Sequence, residues 1–268
     1  MQGEVLEGAP AFGALLRKWR GHRHLSQLAL ALRGDVSQRH LSFMESGRSR
    51  PSREMVLHLA EELEVPLRER NHLLLSAGYA PLYAERPLDD DALRSVRAAV
   101  EHILRAHEPF PALAIDRHWN MVAANRAVPP LLQGVAAELL RPPVNVLRLS
   151  LHPDGLAPRI ANLADWSAHL VERVRRQVAA SADPVLAALL DELGGYPVPR
   201  STRVAPPAVA GHPAVFVPLE LATPAGMLTF LSTTTVFGTP VDVTVSELAL
   251  ESFYPADEDT AARMRALV

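Results

Sequence analysis

Three serines, Ser26, Ser37 and Ser52, each stand directly before a short run with helical apolar spacing: SQLALALR, SQRHLSFME and SREMVLHLAEEL. Serine is favoured at that place because its side-chain oxygen accepts an otherwise unpaired N–H of the first helical turn. Helices this short are marginal in isolation, so they must bury their faces against one another. A helix from Ala11 to His22 precedes them, with Phe12, Leu15, Leu16 and Trp19 on one stripe and Arg17, Lys18 and Arg20 on the other. In the run after Ser26, Leu28, Ala29 and Leu32 are expected to face inward, with Gly34 and Asp35 as its stop. In the run after Ser37, Leu41 and Met44 face inward and Gln38, Arg39 and Ser42 project away. Gly47 is expected to end it in the left-handed conformation. A fourth helix from Arg53 to Leu63 and a fifth from Leu67 to Ala77, ended by Gly78 and Pro81, complete an all-α five-helix unit.

Charge gives that unit a direction. The chain carries a net charge of -3 over 268 residues, yet from Arg17 to Arg53 nine basic residues face only Asp35 and Glu45, a balance of 9 − 2 = +7 that leaves −10 for the rest. A basic segment is either a solvated surface or the footprint of a polyanion. The turn between the second and third helices matches helix-turn-helix geometry, in which the third helix enters the major groove. Gln38, Arg39 and Ser42 then reach base edges, with Gln38 suited to adenine and Arg39 to guanine, and Ser37 at the helix start is a further DNA-binding candidate. Arg48, Arg50 and Arg53 lie by the fourth helix's N-terminus, where phosphates are held rather than sequence read. A carboxylate facing DNA would repel it. Glu45 is therefore expected to turn inward and pair with Arg17 or Arg20. The HRH at 22–24 lacks further ligands at metal-binding spacing.

LSQLALAL, VSQRHLSFMESGRSRPS and MVLHLAEELEVP resemble the XRE-type, phage-repressor-like helix-turn-helix family over roughly residues 9–78. The resemblance implies that Ser26 and Gln27 contact phosphate across the groove. One recognition helix reads few bases, so a homodimer on a double-stranded DNA operator is expected.

The chain length fits two domains. Pro81, Pro87 and the acidic run DDD mark residues 81–91 as a linker between a head at 1–80 and a second domain at 92–268. A helix from Ala92 to His107 leads into a β-hairpin turning at Asp116-Arg117-His118, which is followed by a helix. A long helix through Leu163, Trp166, Leu170 and Val174 comes next, and then PVLAALLDEL. Strands with Val215, Val217, Leu219 and Leu221 alternating, then Met227–Phe237, then VDVTVSELALESFYP, precede a last helix from Asp257 to Leu267. That order predicts an α+β, PAS-like domain with an antiparallel sheet and helices on one side.

AAN at 123–125 resembles the PAS turn from strand to helix. AIDRHWNMVAANRAV, NVLRLSLHPDGLAPRIANLADWSAHLVERVRRQ and ELALESFYPADEDT resemble the MmyB-like regulator ligand-binding domain over about residues 92–266, although YPVPRSTRVAPPAVAGH departs from its pattern. The resemblance implies a sensor for a small hydrophobic, fatty-acid-like molecule, and the protein is expected to repress a nearby gene until that ligand arrives. Trp119, Asn125, Trp166 and Phe230 are the candidate ligand-binding residues. The aromatic three either line a pocket or fill a core.

No cysteine is present to form a flavin adduct or a thiolate metal site, and no haem motif occurs. G-x-S-x-G, G-x-G-x-x-G, the P-loop and H-E-x-x-H are all missing, so an enzyme is not expected. A dimerisation or protein-docking role for the second domain stays open. There is no long apolar run and no leader-like N-terminus, so a soluble, cytoplasmic protein with no membrane association is expected.

Overall fold

The computed structural model describes residues 11–198 and 217–268. They divide into two compact units, the first reaching Arg86 and including Val241–Val243, the second formed by Pro87–Pro240 and Thr244–Val268.

The first unit is built from α1 (Phe12–His22), α2 (Gln27–Arg33), α3 (Gln38–Glu45), α4 (Arg53–Glu62) and α5 (Leu67–Ser76). The three serines cap as their positions predict: Ser26, Ser37 and Ser52 accept from the N–H groups of Ala29, His40 and Met55 at 3.0, 3.1 and 3.2 Å. Gly47 follows α3 at φ +74°. Leu16, Trp19, Leu41, Met44, Val56, Leu59 and Leu63 make the core. Gly13 lets α1 touch α3 directly, since a Cβ there would lie 2.5 Å from the carbonyl oxygens of both Met44 and Glu45.

The inward face of α2 differs from expectation. Leu30 and Ala31 are buried, whereas Leu28 is 51% and Leu32 74% exposed. QLALALR offers two competing apolar stripes, and packing on α3, not periodicity, selects one. The start of the expected linker is also held. Asn71 of α5 accepts from the N–H groups of Leu82 and Tyr83 and donates to the Tyr83 carbonyl, fastening that segment to the helix.

The second unit contains α6 (Arg94–Ala106), β1 (Ala112–Ile115), β2 (Met121–Ala124), α7 (Val146–Leu151), α8 (Leu163–Ser181), α9 (Pro184–Gly194), β3 (Leu219–Thr223), β4 (Gly226–Val236), β5 (Ala249–Pro255) and α11 (Glu258–Leu267); the short helix α10 (Val243–Ser246) begins at the end of the first unit's inserted segment. The five strands form one antiparallel sheet in the order β2-β1-β5-β4-β3. After the hairpin the chain makes short 3₁₀ turns at Pro129–Leu132 and Ala137–Leu140 instead of the expected helix. Pro129, Pro130, Pro142 and Pro143 withhold the N–H groups that a helix interior needs.

Helices cover both faces of the sheet, not one. Leu113 and Ile115 of β1 join a large core with α8, α9 and α11, while Ala112 and Ala114, pointing the other way, pack with Val100 and Leu104 of α6. The strand run beginning at Val215 starts outside the described residues, as does most of YPVPRSTRVAPPAVAGH. No described helix is long and apolar enough to cross a membrane.

Candidate nucleic-acid interface and ligand cavity

On α3, Leu41, Met44 and Glu45 are buried. At about 100° per residue, Arg39 points roughly 165° and Phe43 roughly 155° away from the mean direction of those three, while Gln38 sits on the flank at about 65°. Gln38 and Arg39 are exposed, and Ser42 is half-buried. The outer face of α3 is therefore open to a duplex. The guanidinium carbons of Arg39 and Arg48 stand 5.3 and 5.9 Å from the centre of the Phe43 ring. Sequence reasoning passed over Phe43. Its signal was its place four residues after Arg39, opposite the Leu41 and Met44 stripe.

Glu45 holds this helix from beneath. Its carboxylate is fully buried, accepting from Arg20 Nε at 2.6 Å and Nη2 at 2.9 Å and from the Gln27 amide at 2.8 Å, with Arg17 Nε 3.5 Å away. Burial pushes the carboxyl's pKa up, but the hydrogen bonds from Arg20 and Gln27 outweigh it and hold Glu45 below its ordinary range. Arg20 is raised in turn, chiefly by its bond to Glu45. The single carboxylate of the basic helices is thus neutralised inside, and α3 is tied to both α1 and the start of α2.

The flanking cations are less alike than the sequence suggests. Arg48 and Arg53 are exposed, and among the described residues neither they nor Arg39 and Arg50 pair with a carboxylate. Arg50, though exposed, donates to the Ala77 carbonyl at 3.2 Å and lies 5.4 Å from the Tyr79 ring centre, so it also fastens the end of α5. Gln27 commits one amide hydrogen to Glu45, leaving the other and its backbone N–H at the open start of α2. The Ser26 and Ser37 oxygens are occupied by capping.

In the second unit a cavity of about 100 Å³ opens between the sheet and α7 and α8. Trp119, Trp166 and Phe230 all line it, together with Leu113, Leu147, Leu170 and Leu221. Asn125 does not. Its Oδ1 accepts from the N–H groups of Ala112 and Ala127, and its Nδ2 donates to the carbonyls of Leu104 and Phe110. The expected ligand-binding role of Asn125 gives way to a structural one, because its amide already ties α6, β1 and the turn after β2 together and has no atom aimed at the cavity.

Sequence reasoning also missed the polar part of the wall. Arg173 of α8 and Glu251 of β5 form a paired contact, Nη2 to Oε1 at 2.7 Å and Nη1 to Oε2 at 3.2 Å, and Thr234 bonds to both. Glu251 sits on the inward side of β5 with Ala249 and Phe253, a place that strand alternation normally gives to an apolar residue. The Arg173 guanidinium lies 4.7 Å from the Trp119 ring centre, and Trp119 Nε1 donates to Gln177 at 2.6 Å. Trp119 itself has φ +66°, a left-handed conformation costing about 1 kcal/mol, and these contacts hold it there. Trp166 Nε1 donates to Ser150 at 2.9 Å, leaving the Ser150 hydroxyl hydrogen as a spare donor on the wall.

A capped helical head presenting the exposed Arg39 of its third helix beside the arginines of the following turn, joined in one chain to an α+β unit with an apolar cavity, defines a DNA-binding transcription regulator with a ligand-binding domain. Residues 16–70 match the helix-turn-helix family, and residues 96–267 match the MmyB-like transcription regulator ligand binding domain. The latter spans well over half the chain, which therefore belongs to that family. No curated protein sequence matches the chain.

Proposed function

We propose that the protein is a repressor that binds a double-stranded operator as a homodimer and releases it when a small hydrophobic, fatty-acid-like molecule enters the second unit. The observation that carries the DNA reading is the open outer face of α3, with Arg39 exposed above an internally neutralised Glu45. Arg39, Gln38 and Ser42 read bases. Arg48 and Arg53 neutralise phosphates, with Arg50 positioned by α5 and Ser26 and Gln27 offering the start of α2.

The cavity supports the sensor reading through its apolar lining, while its size requires that a ligand make room for itself. Pockets for small ligands usually measure about 300–1,000 Å³, and this one is about 100 Å³. An alkyl chain entering it must displace the side chains that fill it, and a displaced core is a physical route from occupancy to altered presentation of the head. No catalytic role is assigned.

Mass spectrometry of a lipid extract from purified protein tests the sensor reading, followed by gel shifts of delipidated protein with and without dodecanoic acid. Co-purification of an acyl compound and weaker operator binding on adding the acid are expected. An empty extract together with unchanged affinity would reduce the second unit to a docking module.

A further inference from the structure

We infer that Phe43 is a specificity-determining residue that reads the 5-methyl group of a thymine in the major groove, an inference that rests on the DNA-binding reading of α3. Its position on α3 lies roughly 155° from the mean direction of the helix's buried residues. It is half-buried, and two arginines lie near its ring: Arg39 at 5.3 Å, from the helix's first turn, and Arg48 at 5.9 Å, from the turn beyond. Its position is firm, because the Phe43 carbonyl accepts from the N–H groups of both Arg48 and Ser49, at 2.8 and 3.1 Å.

Phe43 keeps part of its ring uncovered on the side of α3 away from Leu41 and Met44, and that uncovered apolar area is available to a partner. On a surface that meets a duplex, the matching apolar feature is the thymine methyl, the one hydrocarbon group displayed on base edges in the major groove. Phe43 lies between an arginine placed for a base and an arginine placed for a phosphate. Its ring would therefore approach the base pair next to the one read by Arg39. The flanking guanidiniums carry their charge to the acceptors around that methyl, so desolvating the ring does not cost the head its hold on DNA.

The competing role for Phe43 is as a platform that merely orders Arg39 and Arg48. Thymine replacement separates the two. Duplexes that bind the full-length protein are selected from a random pool at fixed salt, and each thymine of the selected site is exchanged for deoxyuridine, which lacks only the methyl. For the unaltered protein we expect a loss of about four-fold at a single thymine per bound head, the factor for burying one methyl-sized group. Phe43→Ala, checked for folding by circular dichroism, should bind the parent site more weakly and show no further loss at that position, and Phe43→Leu should keep part of the sensitivity. Uniform indifference to deoxyuridine, or an equal loss in Phe43→Ala, would overturn the inference while leaving DNA binding intact. A pool that yields no enriched sequence would overturn the DNA-binding reading, and this inference with it.

Discussion

Both units bury a glutamate beside an arginine, but they put the pair to opposite uses. In the head, Glu45 and Arg20 lie under the surface, so that Arg39 of the helix above and Arg48 and Arg53 beyond it face outward with no carboxylate among them. In the second unit, Arg173 and Glu251 close part of a cavity wall, and their charges cancel where an apolar molecule would enter. The same contact thus supports an outward field in one place and suppresses an inward one in the other. The difference teaches that a buried pair says little about function until the next layer of residues is known.

The largest expected contrast is with salt. If the head neutralises six or more phosphates per dimer, operator affinity should fall roughly a thousandfold between 50 and 200 mM salt, whereas uptake of dodecanoic acid, followed by tryptophan fluorescence, should hardly change. A flat salt response in gel shifts would remove the phosphate roles of Arg48 and Arg53.

Breaking each pair from one side comes next. Glu45→Ala and Glu251→Ala should each destabilise the chain by about 3 kcal/mol in urea unfolding, since a buried charge is left without its partner. Only the first should also weaken operator binding in the ligand-free protein. Replacing both Arg173 and Glu251 by methionine should restore most of the stability, because two apolar groups strand no charge.

Within the head, Arg39→Ala should cost about 2 kcal/mol at particular base pairs. Arg53→Ala should weaken all sequences alike and lower the salt slope by about 1.8 per dimer, since each dimer loses two phosphate contacts. An exchange of these two patterns between the variants would reverse their roles.

The smallest effect is a pH dependence. Glu45 has a folded pKa held below its ordinary value of 4.5. Its contribution is therefore fully present above that value and is lost as pH falls through the folded pKa. Acid titration of the unfolding free energy should lose this component in Glu45→Gln. An identical acid limb in both proteins would show that the carboxylate is not held as described.

Much of the head was readable without coordinates because its determinants are local. Ser26, Ser37 and Ser52 act within three residues of themselves, Gly47 answers a single backbone angle, and Glu45 was the only glutamate within a basic segment. The inward face of α2 was not readable, because Leu28, Leu30 and Leu32 are equally apolar and only the packed neighbour chooses among them. In the second unit the order of strands followed from period-two alternation, and the cavity's three aromatic residues were named from the chain. Asn125 was placed with them because an asparagine at a strand end reads the same whether it faces a ligand or the backbone.

The sequence by itself determined the capped helices, the basic face of α3 and the succession of strands, since each depends on the spacing of neighbours along the chain. Glu45's turn toward Arg17 and Arg20 was legible in the chain, but tertiary structure alone decided that Arg173 meets Glu251: they are 78 residues apart, and nothing local to either announces the other. It also decided that Phe43 is half-buried near the guanidiniums of Arg39 and Arg48, because a side chain's surroundings are fixed by what folds against it.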